Sequence, residues 1–162
     1  MRTQDIAADH GDTDGSETGR SAPASDGAWA WVFGCWLVAA ASTLGALFLS
    51  EIMGIAPCVL CWYQRIAMFP LVVLLPLGLF PFDPRIVRYT WPLVAAGWLV
   101  AGYHLLVATG VIPESMQPCT QGVPCSEDPI RWLGFVTIPL LSFAAFTIMN
   151  LLLLAARARS HR

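Results

Sequence analysis

The sequence predicts an all-α membrane protein, a four-transmembrane-helix antiparallel bundle with both termini cytoplasmic. Three observations carry this: an apolar composition, four long charge-free windows, and an uneven placement of arginine. The chain has 162 residues, of which 56% are hydrophobic and 12% charged, and its mean hydropathy is +0.61. A soluble domain carries about 25% charged residues, and a chain this short has too little interior to hide so much apolar surface. Formal net charge is −2, and all nine basic residues are arginine. That leaves no basic field for a nucleic acid, so the expected surroundings are membrane lipid.

Residues 1–28 read as a disordered acidic cytoplasmic tail. They hold six acids (Asp5, Asp9, Asp12, Asp14, Glu17, Asp26) against Arg2 and Arg20. Such a segment buries too little apolar area to offset its ordering entropy. It lacks the basic start and apolar core of a signal peptide, so the first membrane helix is expected to act as an uncleaved signal. No Asp, Glu, Lys or Arg occurs in residues 27–50, 66–82, 89–113 or 132–156. Crossing ~30 Å of hydrocarbon takes about 20 helical residues, and backbone polar groups in lipid must bond within their own segment. The expected helices run over about 29–50, 62–80, 90–112 and 132–156. The second extends back to Trp62 with Arg65 near the interface. Pro70, Pro76 and Pro139 lie inside these windows and are expected to mark kinks. A short basic cytoplasmic tail, 157–162, closes the chain.

Orientation follows from the arginines. Seven (Arg2, Arg20, Arg85, Arg88, Arg157, Arg159, Arg162) fall on the side of the termini and the middle loop, and two (Arg65, Arg131) on the other. The cytoplasm takes the richer side. Trp29, Trp31, Trp62, Trp91 and Trp132 fall at the expected helix ends, as interfacial anchors do.

The five cysteines then sort to one face. Cys35 lies in the first helix and reads as a small packing residue. Cys58 and Cys61 lie in the first outward loop, Cys119 and Cys125 in the second. Outside the cytoplasm disulfides persist. Cys58-Val59-Leu60-Cys61 has the spacing of a short, easily opened disulfide. Pro57 suits the first turn of a helix, and a helix N-terminus favours thiolate. Arg65, four residues after Cys61, shares its helix face. An ionisable group at a membrane helix mouth is a functional-site candidate, and a thiol beside it is well placed for a lipid-soluble electron acceptor. The segment Pro118-Cys119-Thr120-Gln121-Gly122-Val123-Pro124-Cys125 reads as an exposed turn, open to another protein's thiolate. His104, inside the third helix, either bonds a quinone carbonyl or pairs with a neighbouring helix.

Two plainer readings compete. Zinc ribbons place their cysteine pairs about 15–20 residues apart; here fifty-seven residues and two membrane helices intervene. Two purely structural disulfides would make this a non-catalytic membrane protein with clamped outward loops. A two-residue spacer, however, adds little chain-entropy stabilisation.

The run Pro57-Cys58-Val59-Leu60-Cys61-Trp62-Tyr63-Gln64-Arg65-Ile66 resembles the signature of the DsbB family of disulfide-bond formation membrane proteins. Pro118-Cys119 through Gly122-Val123-Pro124-Cys125-Ser126, with Trp132-Leu133-Gly134-Phe135-Val136-Thr137-Ile138-Pro139, is similar to its compact BdbC branch. The resemblance spans Trp29 to the end of the fourth helix and leaves the acidic tail outside. It implies a protein-disulfide oxidoreductase of the cytoplasmic membrane, with its cysteine loops extracytoplasmic. Such a protein reoxidises a DsbA- or BdbD-like thioredoxin-fold thiol oxidase and passes the electrons to the membrane quinone pool, ubiquinone or menaquinone. By that resemblance Cys119 is the sulfur attacked by the partner, Cys125 attacks Cys58, Cys61 faces the quinone, and Arg65 lies against it. Gln64 and His104 remain candidates.

Overall fold

The computed structural model describes residues 23–112, Cys125 and residues 137–160. Four helices account for nearly all of them: α1 (Pro23–Leu47), α2 (Val59–Leu79), α3 (Ile86–Ala108) and α4 (Ile138–Ser160), with a π-helical segment, Phe48–Ile52, continuing α1. Each is long and apolar enough to cross a membrane. The expected all-α, four-helix membrane architecture is therefore present.

The boundaries differ from the windows at all four helices, and α3 starts and ends about four residues before the expected 90–112. α1 begins at Pro23, inside the stretch read as tail. α2 begins at Val59, a turn before the expected start. α4 begins at Ile138; residues 132–136, including Trp132, lie outside the described residues. Charge alone marks where a helix enters lipid, and α1, α2 and α3 begin before that point.

The helices pack in a ring, α1 on α2, α2 on α3, α3 on α4 and α4 on α1. Neighbours are antiparallel. The indole of Trp36 on α1 reaches Val72 on α2, and Arg65 at the start of α2 reaches Ala46 and Ser50 at the end of α1. Gln64 and His104 meet at one end of the α2–α3 pair, Gly78 and Ile86 at the other. Gly27 on α1 lies beside Arg159 on α4.

Helix association in lipid rests on close packing more than on apolar burial, so small residues line the contacts. Ala39, Ala67 and Ala101 are buried with Val32, Cys35, Leu71, Leu75, Val94, Phe146, Met149 and Leu153 in one core. Cys35 is fully buried there, in keeping with a packing role. Outward positions such as Leu44, Val73, Leu77, Leu99, Leu141 and Leu151 are exposed apolar side chains, suited to lipid.

The prolines have separate structural consequences. Pro76 has no N–H to give the carbonyl of Val72. The Trp36 indole donates to that carbonyl instead, at 3.1 Å. Pro139 sits in the first turn of α4, where the missing N–H costs nothing, so it starts the helix rather than kinking it. A further proline, Pro92, lies inside α3.

Candidate functional site

The site sits where α1 ends and α2 begins. After the π segment the chain turns at Gly54, whose φ of +67° is the left-handed conformation glycine tolerates. Cys58 is the N-cap of α2, and its sulfur accepts a hydrogen bond from the Cys61 backbone N–H at 3.4 Å. The cap position thus aims a sulfur at the positive end of a helix. Pro57 lies just outside α2 and stiffens the approach.

Cys58 and Cys61 are free thiols with their sulfurs 3.0 Å apart, within hydrogen-bonding distance. Cys58 is buried; Cys61 is half-buried. The hydrogen bond from the Cys61 side chain holds the Cys58 thiol well below the usual thiol range. Burial opposes this, while His104 and the Cys61 backbone N–H add to the lowering. Thiolate is the reactive form, so Cys58 is the sulfur this geometry activates.

His104 was the residue least settled by the sequence, and it lies against this pair. Its Nε2 is 3.7 Å from the Cys58 sulfur, and its Nδ1 is 3.2 Å from Nε2 of Gln64. Gln64 and His104 are only 5% and 2% exposed. Neither contact could be read from spacing, since forty residues or more separate the partners. The one available signal was an ionisable side chain in the middle of an apolar helix.

Arg65, one turn after Cys61 on α2, also reaches across to α1. Its guanidinium donates to the Ala46 carbonyl at 2.9 Å and to the Ser50 hydroxyl at 3.2 Å, tying α2 to the end of α1. It also stands 5.5 Å from the ring centroid of Trp62, a cation–π distance. Trp62 and Ile66 beside it are 53% and 62% exposed. An apolar acceptor arriving from lipid can therefore approach a hydrogen-bond donor here. An open apolar groove of about 530 Å³ runs along Leu44, Gly45, Leu47, Phe48, Glu51 and Ile52, and none of the cysteines lines it.

Cys125, between α3 and α4 in the chain, joins the site. It is disulfide-bonded and buried, at 2% exposure, in one apolar cluster with Cys58, Leu60 and Val107. The expected exposure of the second pair does not hold for Cys125, because it packs down on the first pair. Cys119 lies outside the described residues.

The sulfurs of Cys58 and Cys61 and a ring nitrogen of His104 lie within 4.8 Å of one another. Tetrahedral zinc with bonds of about 2.3 Å keeps its sulfurs about 3.8 Å apart, well beyond the 3.0 Å found. The arrangement is a hydrogen-bonded dithiol rather than a preformed metal site. Two adjacent thiols, one activated, with a third sulfur packed beside them, can exchange a disulfide between the loops.

Comparison with known proteins agrees with this chemistry. The family model described as disulfide bond formation protein DsbB matches residues 28–156. A probable disulfide formation protein of Metapseudomonas resinovorans is 44% identical over 133 residues, 82% of this chain and 92% of the relative. Disulfide bond formation protein C of Bacillus subtilis is 40% identical over 119 residues, 74% of this chain and 86% of the relative. A probable disulfide formation protein C 2 of Bacillus cereus is 41% identical over 118 residues, 73% and 84% of the two chains. No solved structure matches the chain.

Proposed function

The chain belongs to the DsbB family of disulfide bond formation proteins, and from that premise we propose that it carries electrons from a thioredoxin-fold thiol oxidase to membrane quinone. Protein-disulfide oxidoreductase activity and a multi-pass membrane setting come with the family and the four apolar helices. The partner, the quinone and the roles of single residues are the proposal.

The partner's thiolate attacks Cys119 of a Cys119–Cys125 disulfide, giving a mixed disulfide and releasing Cys125. Cys125 attacks Cys58 of the oxidised Cys58–Cys61 pair and releases Cys61. The partner's second thiol resolves the mixed disulfide, leaving the partner oxidised and Cys119 reduced. Cys119 then recovers Cys125 and frees Cys58. Each exchange conserves electrons, so two must finally leave the Cys58–Cys61 dithiol for an acceptor of higher potential. A quinone supplies that sink, taking two electrons and two protons. Arg65, with Trp62 and Ile66 around it, is the place where this chain can hold one: a fixed donor faces a carbonyl oxygen and apolar side chains face the ring. The cysteine loops face the extracytoplasmic side of the cytoplasmic membrane, in line with the arginine asymmetry.

The burial of Cys125 against Cys58 carries this reading, because it supports transfer between the two outward loops. Purified protein given reduced partner is expected to reduce quinone. Turnover disappears in Cys61→Ser and in Cys119→Ser. Turnover that survives both replacements would overturn the scheme and favour structural disulfides.

A further inference from the structure

Buried polar side chains are costly inside a membrane domain. Among the described residues only Gln64, Thr90 and His104 are buried and polar. Thr90 bonds a carbonyl of its own helix, the one at Ile86, at 2.8 Å. Gln64 and His104 are different, since they are bonded across α2 and α3 and lead to a reacting sulfur.

The chain of contacts has a direction. The amide nitrogen of Gln64 donates to Nδ1 of His104. An imidazole that accepts at Nδ1 carries its proton at Nε2, and Nε2 is the atom that faces Cys58. To take a proton from Cys58 the ring must present the lone pair of Nε2 and carry its own proton on Nδ1, which then donates. Turning the Gln64 amide then offers Oε1 to it, with no change of position. Gln64 can thus hold the ring in either protonation state, and the ring can pass a proton to or from the same sulfur.

We propose that His104, oriented by Gln64, is the proton acceptor for Cys58 when the Cys58–Cys61 disulfide closes. The step rests on the reading of this pair as the electron-donating dithiol. His104 takes the Cys58 proton. The Cys58 thiolate forms the bond to the Cys61 sulfur while two electrons pass to the quinone-class acceptor. The proton on His104 and that of Cys61 end on the reduced acceptor, so two thiols and a quinone give a disulfide and a hydroquinone.

Among the described residues few other charges bear on the ring. From α2 these are Cys58, Cys61 and Arg65, whose guanidinium is engaged with Ala46 and Ser50. Tyr103 is its neighbour on α3. Cys125, as a disulfide, does not titrate. Glu51, on the π segment, bonds Ser50 at the surface. On α4 the charged side chains Arg157 and Arg159 lie at the far end of the bundle.

The test uses full-length reduced protein in detergent, without quinone or partner. Iodoacetamide modification of Cys58 is followed by tandem mass spectrometry across pH. In His104→Gln, which can still bond Gln64 but takes no proton in this range, the alkylation midpoint of Cys58 is expected to rise by about one pH unit or more. Below both midpoints that is a roughly tenfold slower reaction at fixed pH. Gln64→Leu is expected to move the midpoint the same way by less. A midpoint unchanged in both variants would overturn the proposal and leave the pair as packing between α2 and α3. Because no acceptor is present, that outcome is separate from failure of the quinone assay above.

Discussion

Gly97→Ala tests whether the bundle positions the site. A Cβ at Gly97 would stand 2.2 Å from Cε1 and 2.4 Å from Cζ of Phe146. Ordinary carbon contacts begin at about 3.4 Å, so the ring must retreat by about 1.2 Å or α3 must leave α4. Phe146 is fully buried in the core and has little room to turn. Overpacking of this kind costs about 1–3 kcal/mol. The displacement has a functional route, since Gly97, Ala101 and His104 form one buried stripe of α3. Helix spacing at i, i+4 and i+7 keeps them on a single face. We expect Gly97→Ala to lower thermal stability in detergent and to slow Cys58 alkylation at neutral pH. Phe146→Leu in the same chain should restore part of both. Contacting residues couple by about 0.5–3 kcal/mol in a double-mutant cycle, and the cycle is run on unfolding midpoints. A Gly97→Ala protein with wild-type stability, or strict additivity with Phe146→Leu, would refute the close approach of α3 and α4.

Three further outcomes are expected. Arg65→Ala removes two hydrogen bonds from a charged donor, and the loss of one such contact to a quinone oxygen, about 1.4 kcal/mol, raises the quinone KM roughly tenfold while leaving the partner KM little changed; steady-state kinetics with each substrate varied in turn checks this, and an unchanged quinone KM would remove Arg65 from that role. Cys125→Ser is expected to trap the partner on Cys119, visible as a mixed disulfide on a non-reducing gel and mapped by mass spectrometry; its absence would remove Cys119 as the point of attack. Cys35→Ala is expected to keep full turnover and to cost about 1 kcal/mol of stability, because Cys35 lies in the core among Val32, Ala39 and Leu71; lost turnover in a folded protein would show that it does more than pack.

The architecture was legible because its cause is one-dimensional. A run of residues without charge crosses a bilayer wherever it lies in the chain, so four windows gave four helices. The Cys58–Cys61 pair at the mouth of α2 was legible for a similar reason: Pro57 and the two-residue spacer are local signals. What escaped was everything set by neighbouring helices. The i, i+4 spacing of Cys61 and Arg65 is real, yet it said nothing of α1, whose Ala46 carbonyl and Ser50 hydroxyl take the guanidinium. The π segment left no mark in hydropathy, since Phe48, Leu49 and Ile52 suit an α-helix equally well. The burial of Cys125 depends on its contacts with Leu60 of α2 and Val107 of α3. His104 and Gln64 were each visible as polar residues in apolar surroundings, but their pairing required the register of two helices.

The placement of charge at the site follows from the antiparallel order of those helices. The carbonyl end of α1 and the N–H end of α2 lie side by side, and backbone dipoles make the first negative and the second positive. Arg65 extends its positive group to the Ala46 carbonyl at the negative end. Cys58 sets its sulfur on the Cys61 N–H at the positive end. Each charged or chargeable group therefore meets fixed dipoles of the opposite sign in a part-buried setting, where less is lost to screening than in exposed pairs. The same arrangement separates two tasks. Arg65 is held on the side of α1 and the exposed Trp62, while Cys58 is held on the side of α3, beside Cys125 and His104. In the proposed scheme an electron pair entering at Cys58 leaves from the neighbouring Cys61, so the two reactants need not occupy the same space.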